Sequence, residues 1–444
     1  MLRRSAISLF LLLSVLPVAA RTRPHYGGVL RIETEGGAWQ ANGVARALVL
    51  EGLMRRDAHG ALASALAVGW DHDNSMHRWE FRLRAGVHFQ DGNPLTASAA
   101  AQSLAESCRT QCPWASVRAV GAALVFLGDA PMPNLPDLLA EDAYRIAETG
   151  VNAGAPVGTG PFQFSSAAGG VLLLTANNDC WSGRPFADAI EVHEHRAIRD
   201  QWLDLSVGRA DLVEVPAEQT HQAQQQHLNL LTQPAASLLV LQLAEAGSMS
   251  NPALRNAVAQ AVDRAALSGV IYQKQGESTA SLLPAALSGY SFLFSTERNL
   301  PRAIEIRGGL NPSQITLTAE NQGSLLLAAQ RLALNLREAG LQAQAVMGGV
   351  GVHSDGVLRK IPFEGGWPPA ALESMERALG GAAPVEWKET ADVYRAEHDF
   401  LAMHTVIPLL YLPRSWAVSG SVRGLRLGVD GRPLLADAWL EAAP

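Results

Sequence analysis

The chain has 444 residues, of which 48% are hydrophobic and 17% charged, and its net charge is −7. This length suffices for two or three domains with separate hydrophobic cores, at roughly 100–200 residues per domain. The acidic balance excludes the basic surface of a nucleic-acid-binding protein, and the apolar content excludes a disordered chain.

The first twenty residues have the pattern of a secretory signal peptide. Arg3 and Arg4 precede an apolar stretch at Ile7–Val15, and small residues follow at Val18–Ala20. The apolar stretch is shorter than the ~20 residues of a membrane-spanning helix. We therefore expect cleavage and export to the periplasm, with an uncleaved anchor as the alternative. No cysteine lies near the expected cleavage site, so a lipid anchor is not expected.

Three cysteines allow at most one internal disulfide. Cys108 and Cys112 lie four residues apart near a predicted helix end, and export permits a disulfide between them. Two separate buried thiols are the alternative. Cys180 is then unpaired, and no cysteine or histidine pair has the spacing of a zinc finger.

The first half of the chain predicts alternating strands and helices. Alternation of apolar and polar residues indicates strands at Val29–Thr34, Trp79–Arg84, Leu124–Leu127, Val171–Ala176, Ile190–His193 and Asp211–Val213. Helical spacing indicates helices at Ala45–Leu53, from the capping residue Thr96 to about Cys108, and at Arg199–Val207.

The second half continues this mixture. Asn251 and Pro252 begin a helix that we expect to end at Gly269. The remaining predicted elements are strands at Leu238–Leu243, Ile315–Leu317, Gln342–Val346 and Val406–Leu412, and a helix at Leu325–Ala339. A strand, a helix and a strand from Ile315 to Val346 resemble a βαβ unit, and the chain as a whole predicts an α/β fold.

Several blocks in a fixed order resemble one family. In the clearest block, Trp79–Leu95, an alternating strand is followed by an Asp-Gly turn and the start of a helix. The other blocks are Leu62–Trp70, Gly158–Phe162, Leu205–Asp211 and Leu254–Arg264. Together they are similar to the family 5 solute-binding proteins, the peptide- and nickel-binding components of ABC importers. Apart from the name, these blocks indicate scaffold, with Asp91 in a turn and Asp263 and Arg264 in a helix ion pair.

The resemblance implies a two-lobed periplasmic-binding-protein architecture (type II, cluster C) with a hinge between the lobes. Residues 1–20 would be the signal peptide and 25–242 lobe I, with an inserted subdomain at about 51–155. Lobe II would comprise 243–406, and 407–444 would return to lobe I. The resemblance further implies a monomer without cofactor or metal, which captures a peptide, another small solute or a metal complex and delivers it to ABC importer permeases.

The sequence departs from the family around Trp367, which matches a family tryptophan. Peptide-binding members carry an acid three residues later that pairs with the peptide amine, but this chain has Ala370 there. Some members have an arginine three residues before the tryptophan, where this chain has Glu364. An ammonium without a carboxylate partner is costly to bury, so capture of a peptide amine at this position is not expected unless Glu364 substitutes.

Further candidate ligand contacts come from their expected place at the cleft. Glu33, Glu35 and Trp39 end or follow the first strand, and Tyr411 and Trp416 lie near the last crossover. With Glu364 and Trp367 they form the predicted binding set, and core packing is the alternative for each aromatic residue.

Two other functions remain as alternatives. His193 and His195 would share one face of a strand and, with a carboxylate, hold a metal ion. The chain has neither a Gly-x-Ser-x-Gly nor a His-Glu-x-x-His motif, so we expect no catalytic residue. A degenerate scaffold acting as adaptor or sensor is the main alternative, and an exported metal-handling protein or enzyme is a more remote one.

Overall fold

The computed structural model describes residues 23–40, 43–108, 112–149, 155–310, 314–319, 323–348, 352–381 and 390–441. The predicted signal peptide lies outside these residues and stays a prediction. Within the described part of the chain, no helix is both long and apolar enough to cross a bilayer.

The described strands follow the predicted pattern closely in the first half of the chain. They are β1 (Val29–Glu33), β2 (Met54–Arg56), β3 (Leu62–Ser64), β4 (Ala67–His72), β5 (Arg78–Leu83), β6 (Ser116–Val120), β7 (Ala123–Leu127), β8 (Phe162–Ala168), β9 (Val171–Ala176), β10 (Ala189–His193), β11 (Leu212–Val215), β12 (Leu230–Leu243), β13 (Glu277–Ser278), β14 (Ile315–Ala319), β15 (Ala343–Met347), β16 (Gly356–Pro362), β17 (Val406–Val418), β18 (Val422–Arg423), β19 (Arg426–Leu427), β20 (Pro433–Leu434) and β21 (Trp439–Leu440).

The described α-helices alternate with these strands, which confirms a mixed α/β fold. They are α1 (Val44–Val49), α2 (Ala97–Ser107), α3 (Leu135–Leu138), α4 (Ile198–Ser206), α5 (Thr220–Gln225), α6 (Pro252–Ala261), α7 (Arg264–Ala266), α8 (Ala285–Ser288), α9 (Leu300–Gly308), α10 (Leu325–Glu338), α11 (Pro368–Ala378) and α12 (Thr390–Ala402).

An 11-stranded sheet runs through both lobes, in the order β15-β14-β16-β12-β17-β11-β1-β10-β9-β8, with β13 attached to β17. Its centre is the antiparallel pair β12 and β17. The first residues of β12, Leu230–Gln233, pair with Arg414–Ala417, and Ser237–Gln242 pair with Val406–Leu412. Both strands are longer than the sequence predicted, because each continues from one lobe into the other.

Separate hydrophobic cores cover the two ends of this sheet. In lobe II, one face of β12 packs against α6 and α10, and its other face packs against α11 and α12. The predicted βαβ unit is confirmed, since β14 and β15 are parallel and α10 packs against them. In lobe I, β1, β8, β9, β10 and β11 surround a core that α1, β18, β19 and the later residues Leu435 and Ala438 complete.

A break in the β12–β17 pairing separates the two cores. The register shifts between Gln233 and Ser237, and Ala235 within this bulge has a positive φ of 51°. The boundary predicted at residues 242 and 243 stays a prediction. The bulge favours placing it a few residues earlier, because Leu238–Leu243 already contribute to the cores of lobe II.

A four-stranded antiparallel sheet, β4-β5-β7-β6, forms the inserted subdomain with its own core. On β5 the predicted alternation is present: Trp79 and Phe81 are buried while Arg82 is exposed. Burying each aromatic side chain contributes roughly 2–3 kcal/mol. The subdomain therefore has an apolar core large enough to hold together as a unit.

Two of the family-like blocks meet at the end of α1. Gln90, from the Trp79–Leu95 block, donates hydrogen bonds to the carbonyls of Val49 (3.1 Å) and Phe162 (2.7 Å) and accepts one from the Gly158 amide (3.0 Å). A Cβ at Gly158 would lie 2.0 Å from the Val49 carbonyl oxygen, and one at Gly160 would meet α1 similarly. These contacts join the subdomain to lobe I, so the blocks have a structural role.

The helix predicted from Pro252 to Gly269 is interrupted at Val262 and Asp263 and resumes as helical turns over Arg264–Ala266 and Leu267–Ile271. Its first part, α6, ends at Ala261, Val262 adopts an extended conformation, and Asp263 caps a new turn by accepting from the Ala266 amide at 2.8 Å. Arg264 makes no helix ion pair. It is buried and donates to the carbonyls of Thr279 (2.8 Å) and Pro408 (2.9 Å), which anchors the start of β17.

We predict that Thr96→Ala destabilises the protein by about 1 kcal/mol, because the Thr96 hydroxyl accepts the Ala99 amide at 3.1 Å and caps α2. Urea unfolding measures the loss. Ser98→Ala is the matched control, since Ser98 is exposed within the first turn of α2 and makes no cap. Equal stability of the two variants would show that the cap contributes nothing.

The structure pairs Cys108 with Cys112, whose Cα atoms are 5.4 Å apart, and leaves Cys180 as a buried free thiol. Such a Cα separation lies within the usual range for a disulfide. We expect Ellman's reagent to count one thiol in denatured, unreduced protein and three after reduction. A count of three before reduction would favour the alternative of two separate thiols.

Candidate functional site

The candidate interlobe site is the place where β12 and β17 pass from one lobe into the other. Only these two strands of the large sheet pair in both lobes, and Pro413 lies opposite the bulge at 234–236 on the neighbouring strand. Hinge closure of two lobes requires a few such positions that absorb backbone rotation. The side chains on either side of this crossing are therefore the first candidates for a ligand site.

Five charged side chains gather around the crossing, and we call them the hinge cluster: Glu35, Glu214, Glu218, Lys360 and Arg414. Lobe I supplies the loop after β1, strand β11 and the turn that follows it. Lobe II supplies β16, where Lys360 lies opposite Leu239. Because the residues come from five separate segments, the fold alone brings them together.

Part of the hinge cluster is internally neutralised. A carboxylate oxygen of Glu214 accepts the main-chain amide of Glu35 at 2.7 Å, and its other oxygen lies 3.7 Å from the Arg414 guanidinium. That guanidinium also sits over the Trp416 ring, 5.4 Å from its centroid. Glu214 and Arg414 are thus held in place by lobe I contacts.

The other three side chains of the hinge cluster are not neutralised in this way. Among the described residues, the Glu35 and Glu218 carboxylates and the Lys360 ammonium take part in no side-chain hydrogen bond and no ion pair. Burial raises the pKa of Glu35, and the nearby Glu214 and Glu218 raise it further while Lys360 opposes them. Burial lowers the pKa of Lys360, although the three glutamates favour its charge. Glu35 and Lys360 are nevertheless exposed and Glu218 is half-buried, so all three side chains remain accessible to solvent.

A second group, the rim cluster, comprises Glu141, Asp142, Glu364, Asp430 and Arg432. Asp142 is buried and bonded to Arg432 and, at 2.6 Å, to Arg145. Burial opposes its ionisation, but the two guanidiniums outweigh burial and hold its pKa well below the usual range. Asp142 is thus a permanent anion that ties the subdomain to the final segment of the chain.

Glu364 has the opposite electrostatic environment. Burial, followed by repulsion from Glu141 and Asp142, raises its pKa to about 8, although Arg432 partly compensates. A carboxyl group with this pKa is largely protonated at neutral pH. Glu364 therefore presents a neutral hydrogen-bond donor at the rim rather than the carboxylate that an ammonium would require.

Lobe II also touches the inserted subdomain at the rim. The Asn134 amide donates to Glu373 on α11 at 2.6 Å, and Arg377 lies 3.5 Å from Glu141. Gly366 lies so close to Arg56 that a Cβ added at Gly366 would be 2.6 Å from the Arg56 guanidinium. Lobe II thus contacts the inserted subdomain directly.

The predicted binding residues in and after the first strand have different environments. Glu35 belongs to the hinge cluster. Glu33 is 3% exposed and lies 3.6 Å from Arg196; burial and then Asp204 raise its pKa. Trp39 is half-buried against the core of lobe I, with Phe164 as its ring neighbour. The structure does not bring Glu33 and Trp39 into the hinge cluster.

The predicted aromatic residues take different positions. Tyr411 and Trp416 are buried in the central strand: the Tyr411 hydroxyl donates to the Leu282 carbonyl, and the Trp416 indole donates to the Gly431 carbonyl at 2.9 Å. Both pack within the cores because β17 is covered on its two faces, so they present no surface to the cleft. Trp367 is 54% exposed just before α11, and Ala370 faces the interior.

The two histidines of the metal hypothesis do not share a face. Strand β10 ends at His193, and His195 has a positive φ of 57°, which breaks the alternation of side chains. Within the described ranges, no three His, Cys, Asp or Glu side chains are grouped so that they could hold a metal ion.

Sequence reasoning missed Glu214, Glu218, Lys360 and Arg414. Each is an isolated charge in an otherwise ordinary segment, and none lies within a recognisable motif. The available signal was weak: Lys360 and Arg414 are charged residues within strongly apolar strand segments, and such positions lie at the edge of a core or within a cleft.

Two further cavities of about 670 and 480 Å³ lie in lobe II. The larger is lined by residues that include Gly381 and Asp392. Neither is lined by a member of the hinge cluster or by a predicted binding residue.

We predict that Glu364→Gln changes how stability depends on pH. The folded pKa of about 8 exceeds the unfolded value of about 4.3, so the folded state binds more protons between these limits. The wild type loses no stability through Glu364 below about pH 4.3, where this carboxyl is protonated in both states. Its stability falls as the pH rises towards 8, because the folded state keeps the proton that the unfolded state releases. The variant should avoid this loss, gaining on the order of 2–4 kcal/mol relative to the wild type between pH 5 and 8.

Urea unfolding at the two pH values measures this difference. Glu305→Gln, at an exposed position on α9, is the control and should follow the wild type. Parallel stability profiles for Glu364→Gln and the wild type would contradict the assigned environment of Glu364.

Comparison with known proteins gives consistent results. The model of the bacterial extracellular solute-binding proteins, family 5, matches residues 61–344. The chain is 30% identical over 232 residues to the probable ABC transporter periplasmic-binding protein SapA of Escherichia coli (strain K12). That alignment covers 50% of this chain and 40% of SapA, so the chain spans less than half of this relative.

Solved structures share the fold over nearly the whole chain. The binding protein AgaA from A. tumefaciens R10, in complex with agropinic acid, has a TM-score of 0.79 at 18% identity, covering 94% of this chain and 99% of AgaA. NikA from Staphylococcus aureus, in complex with Ni(L-His)2, has a TM-score of 0.75 at 17% identity, covering 93% and 100%. At these identities the likeness shows the fold alone. Together with the family match over more than half of its length, it shows that the chain belongs to the family 5 bacterial extracellular solute-binding proteins.

Proposed function

We propose that this protein is an exported, non-enzymatic binding protein that captures a solute in the interlobe cleft and delivers it to an ABC importer. The observation that carries the proposal is the crossing of β12 and β17. Two separately packed lobes are joined there through a register shift, and charged side chains of both lobes lie near enough to influence one another's pKa.

Membership of the family supports this function, since the family consists of solute-binding proteins. SapA is described as a probable periplasmic-binding protein of an ABC transporter, and AgaA and NikA were each solved with a small ligand bound. The predicted signal peptide supports periplasmic location. Importer permeases would be the partners of the closed form.

The relatives' ligands differ in chemistry, so the fold does not select one. The departure at Ala370 disfavours amine capture beside Trp367, because Ala370 has no carboxylate and faces the interior. A solute held at the hinge cluster fits the structure better than one held at α11.

Ligand capture should be visible in the purified protein. Native mass spectrometry is expected to detect a retained solute, and unfolding followed by refolding should remove it. Adding the solute back at about 100 times its Kd should stabilise the folded protein by about 2.7 kcal/mol, and small-angle scattering should show a smaller radius of gyration.

The solute should be recovered unchanged after prolonged incubation. Chemical turnover of the solute would contradict the proposal. Failure to bind any member of a broad peptide, amino-acid and metal-complex panel would also contradict it and favour the adaptor or sensor alternative.

A further inference from the structure

The smaller cavity of lobe II is lined by a buried arginine that has no ionic partner. This cavity of about 480 Å³ lies beside the end of α6 and the start of β17, and Arg264 is one of its lining residues. Arg264 is 6% exposed. Among the residues that the structure describes, its guanidinium forms no ion pair. We call this space the Arg264 cavity, and no member of the hinge cluster lines it.

The hydrogen bonds of Arg264 use only a small part of its donor capacity. Its Nε–H is shared between the carbonyl oxygens of Thr279 (2.8 Å) and Pro408 (2.9 Å). An arginine side chain carries five N–H donors, most of them on the two terminal Nη atoms. Within the described part of the chain these Nη atoms donate to no protein group, and they are not sealed from solvent. The end of the guanidinium is therefore available to a ligand.

Another buried arginine shows how this chain neutralises a guanidinium internally. Burial opposes the charge of Arg432, but Asp430 and Asp142 bond to it and raise its pKa. Arg264 has no such neighbour, and burial alone lowers its pKa to about 10. Arg264 is still charged at neutral pH, and a buried charge without a counter-ion is costly. An anion in the Arg264 cavity would offset this cost.

The other charged residues that line the cavity do not neutralise Arg264. Arg298 is already paired with Glu338 at 2.6 Å. Glu297 is exposed, forms no ion pair with Arg264 among the described contacts, and does not alter its pKa. The remaining positive charge in this space is therefore that of Arg264.

Part of the wall of the Arg264 cavity is apolar. Phe294, Leu401 and Ile407 line it together with Arg264. The volume of about 480 Å³ exceeds what a bare inorganic ion fills, and contact with apolar side chains favours a ligand that carries a hydrocarbon part. The cavity therefore suits an organic anion better than an inorganic one.

We propose that the Arg264 cavity is a second binding site, which holds a small organic anion by its carboxylate or phosphate group against the Nη atoms of Arg264. The paired N–H donors of a guanidinium match two oxygens of such a group, and the apolar wall receives the rest of the molecule. Because Arg264 also holds the Pro408 carbonyl, a bound anion stabilises the start of β17. This inference does not depend on the proposed function.

Benzoate and phenyl phosphate are the probes, and benzamide is a neutral analogue with the shape of benzoate. Titration calorimetry at constant ionic strength should show one saturable site for at least one of the two anions, and benzamide should bind at least 10-fold more weakly. The tighter of the two anions identifies the preferred acidic group. If neither anion binds saturably, or if benzamide binds as tightly as the anions, the inference is overturned.

Gln260→Glu tests whether the anion lies in this cavity. Gln260 lines the cavity and is half-buried, so a glutamate there keeps the size of the side chain but repels an anion. Affinity for the better probe should fall at least 10-fold. Gln224→Glu, at an exposed position on α5, is the matched control and should bind like the wild type. Unchanged affinity in Gln260→Glu would refute the assignment.

Two further variants separate Arg264 from the interlobe site. Arg264→Lys keeps the positive charge but removes the paired donors, so affinity should fall at least 10-fold. Circular dichroism checks its folding because Arg264 also anchors β17, and if it does not fold, Gln260→Glu decides. Lys360→Met, in the hinge cluster, should bind the anion like the wild type. Binding that is lost in Lys360→Met and kept in Gln260→Glu would place the anion at the interlobe site and overturn the inference.

Discussion

The antiparallel pairing of β12 with β17 is the constraint on which the rest of the structure depends. These strands lie at the centre of the large sheet and are covered on both faces in lobe II, where Leu239, Leu241 and Leu410 are fully buried. The pairing then shifts register and continues in lobe I. Removing either strand would divide the sheet in two and expose four cores at once. The same crossing sets the distance between the charges that face the cleft.

The family-like blocks acquire a physical meaning from their contacts. Gln90 and the glycines at 158 and 160 fix the inserted subdomain against α1, and Asp211 accepts the Arg31 amide at 2.9 Å, which holds β11 beside β1. The contacts of Gln90 and Asp211 need these particular side chains, and the close approach at positions 158 and 160 needs a residue without a side chain. They explain how members with different ligands can keep the same blocks.

Local signals made much of the fold predictable. Thr96 and Asn251 cap helices by accepting nearby amides, and the alternation on β5 is a property of a few consecutive residues. The end of α6 was not predictable in this way, because it depends on Arg264 reaching carbonyls at 279 and 408. Contacts across such sequence distances leave no periodic pattern.

The candidate site was harder to predict for the same reason. Glu35 was identified because it follows the first strand, where the family resemblance places the cleft. Tyr411 and Trp416 were chosen for their aromatic character, but the coverage of β17 on both faces makes them core residues. The charges of the hinge cluster come from five segments, so only the folded chain shows that they are neighbours.

The return of the chain to lobe I has a consequence for the order of folding. Lobe II is formed by one continuous stretch, whereas the edge of β11 in lobe I is covered only by the second half of β17. During synthesis from the N-terminus, the chain can complete lobe II while β11 still has an unpaired edge. An unpaired strand edge is prone to aggregation. Lobe I therefore completes its folding last, and the edge of β11 stays unpaired until residues 415–418 are available.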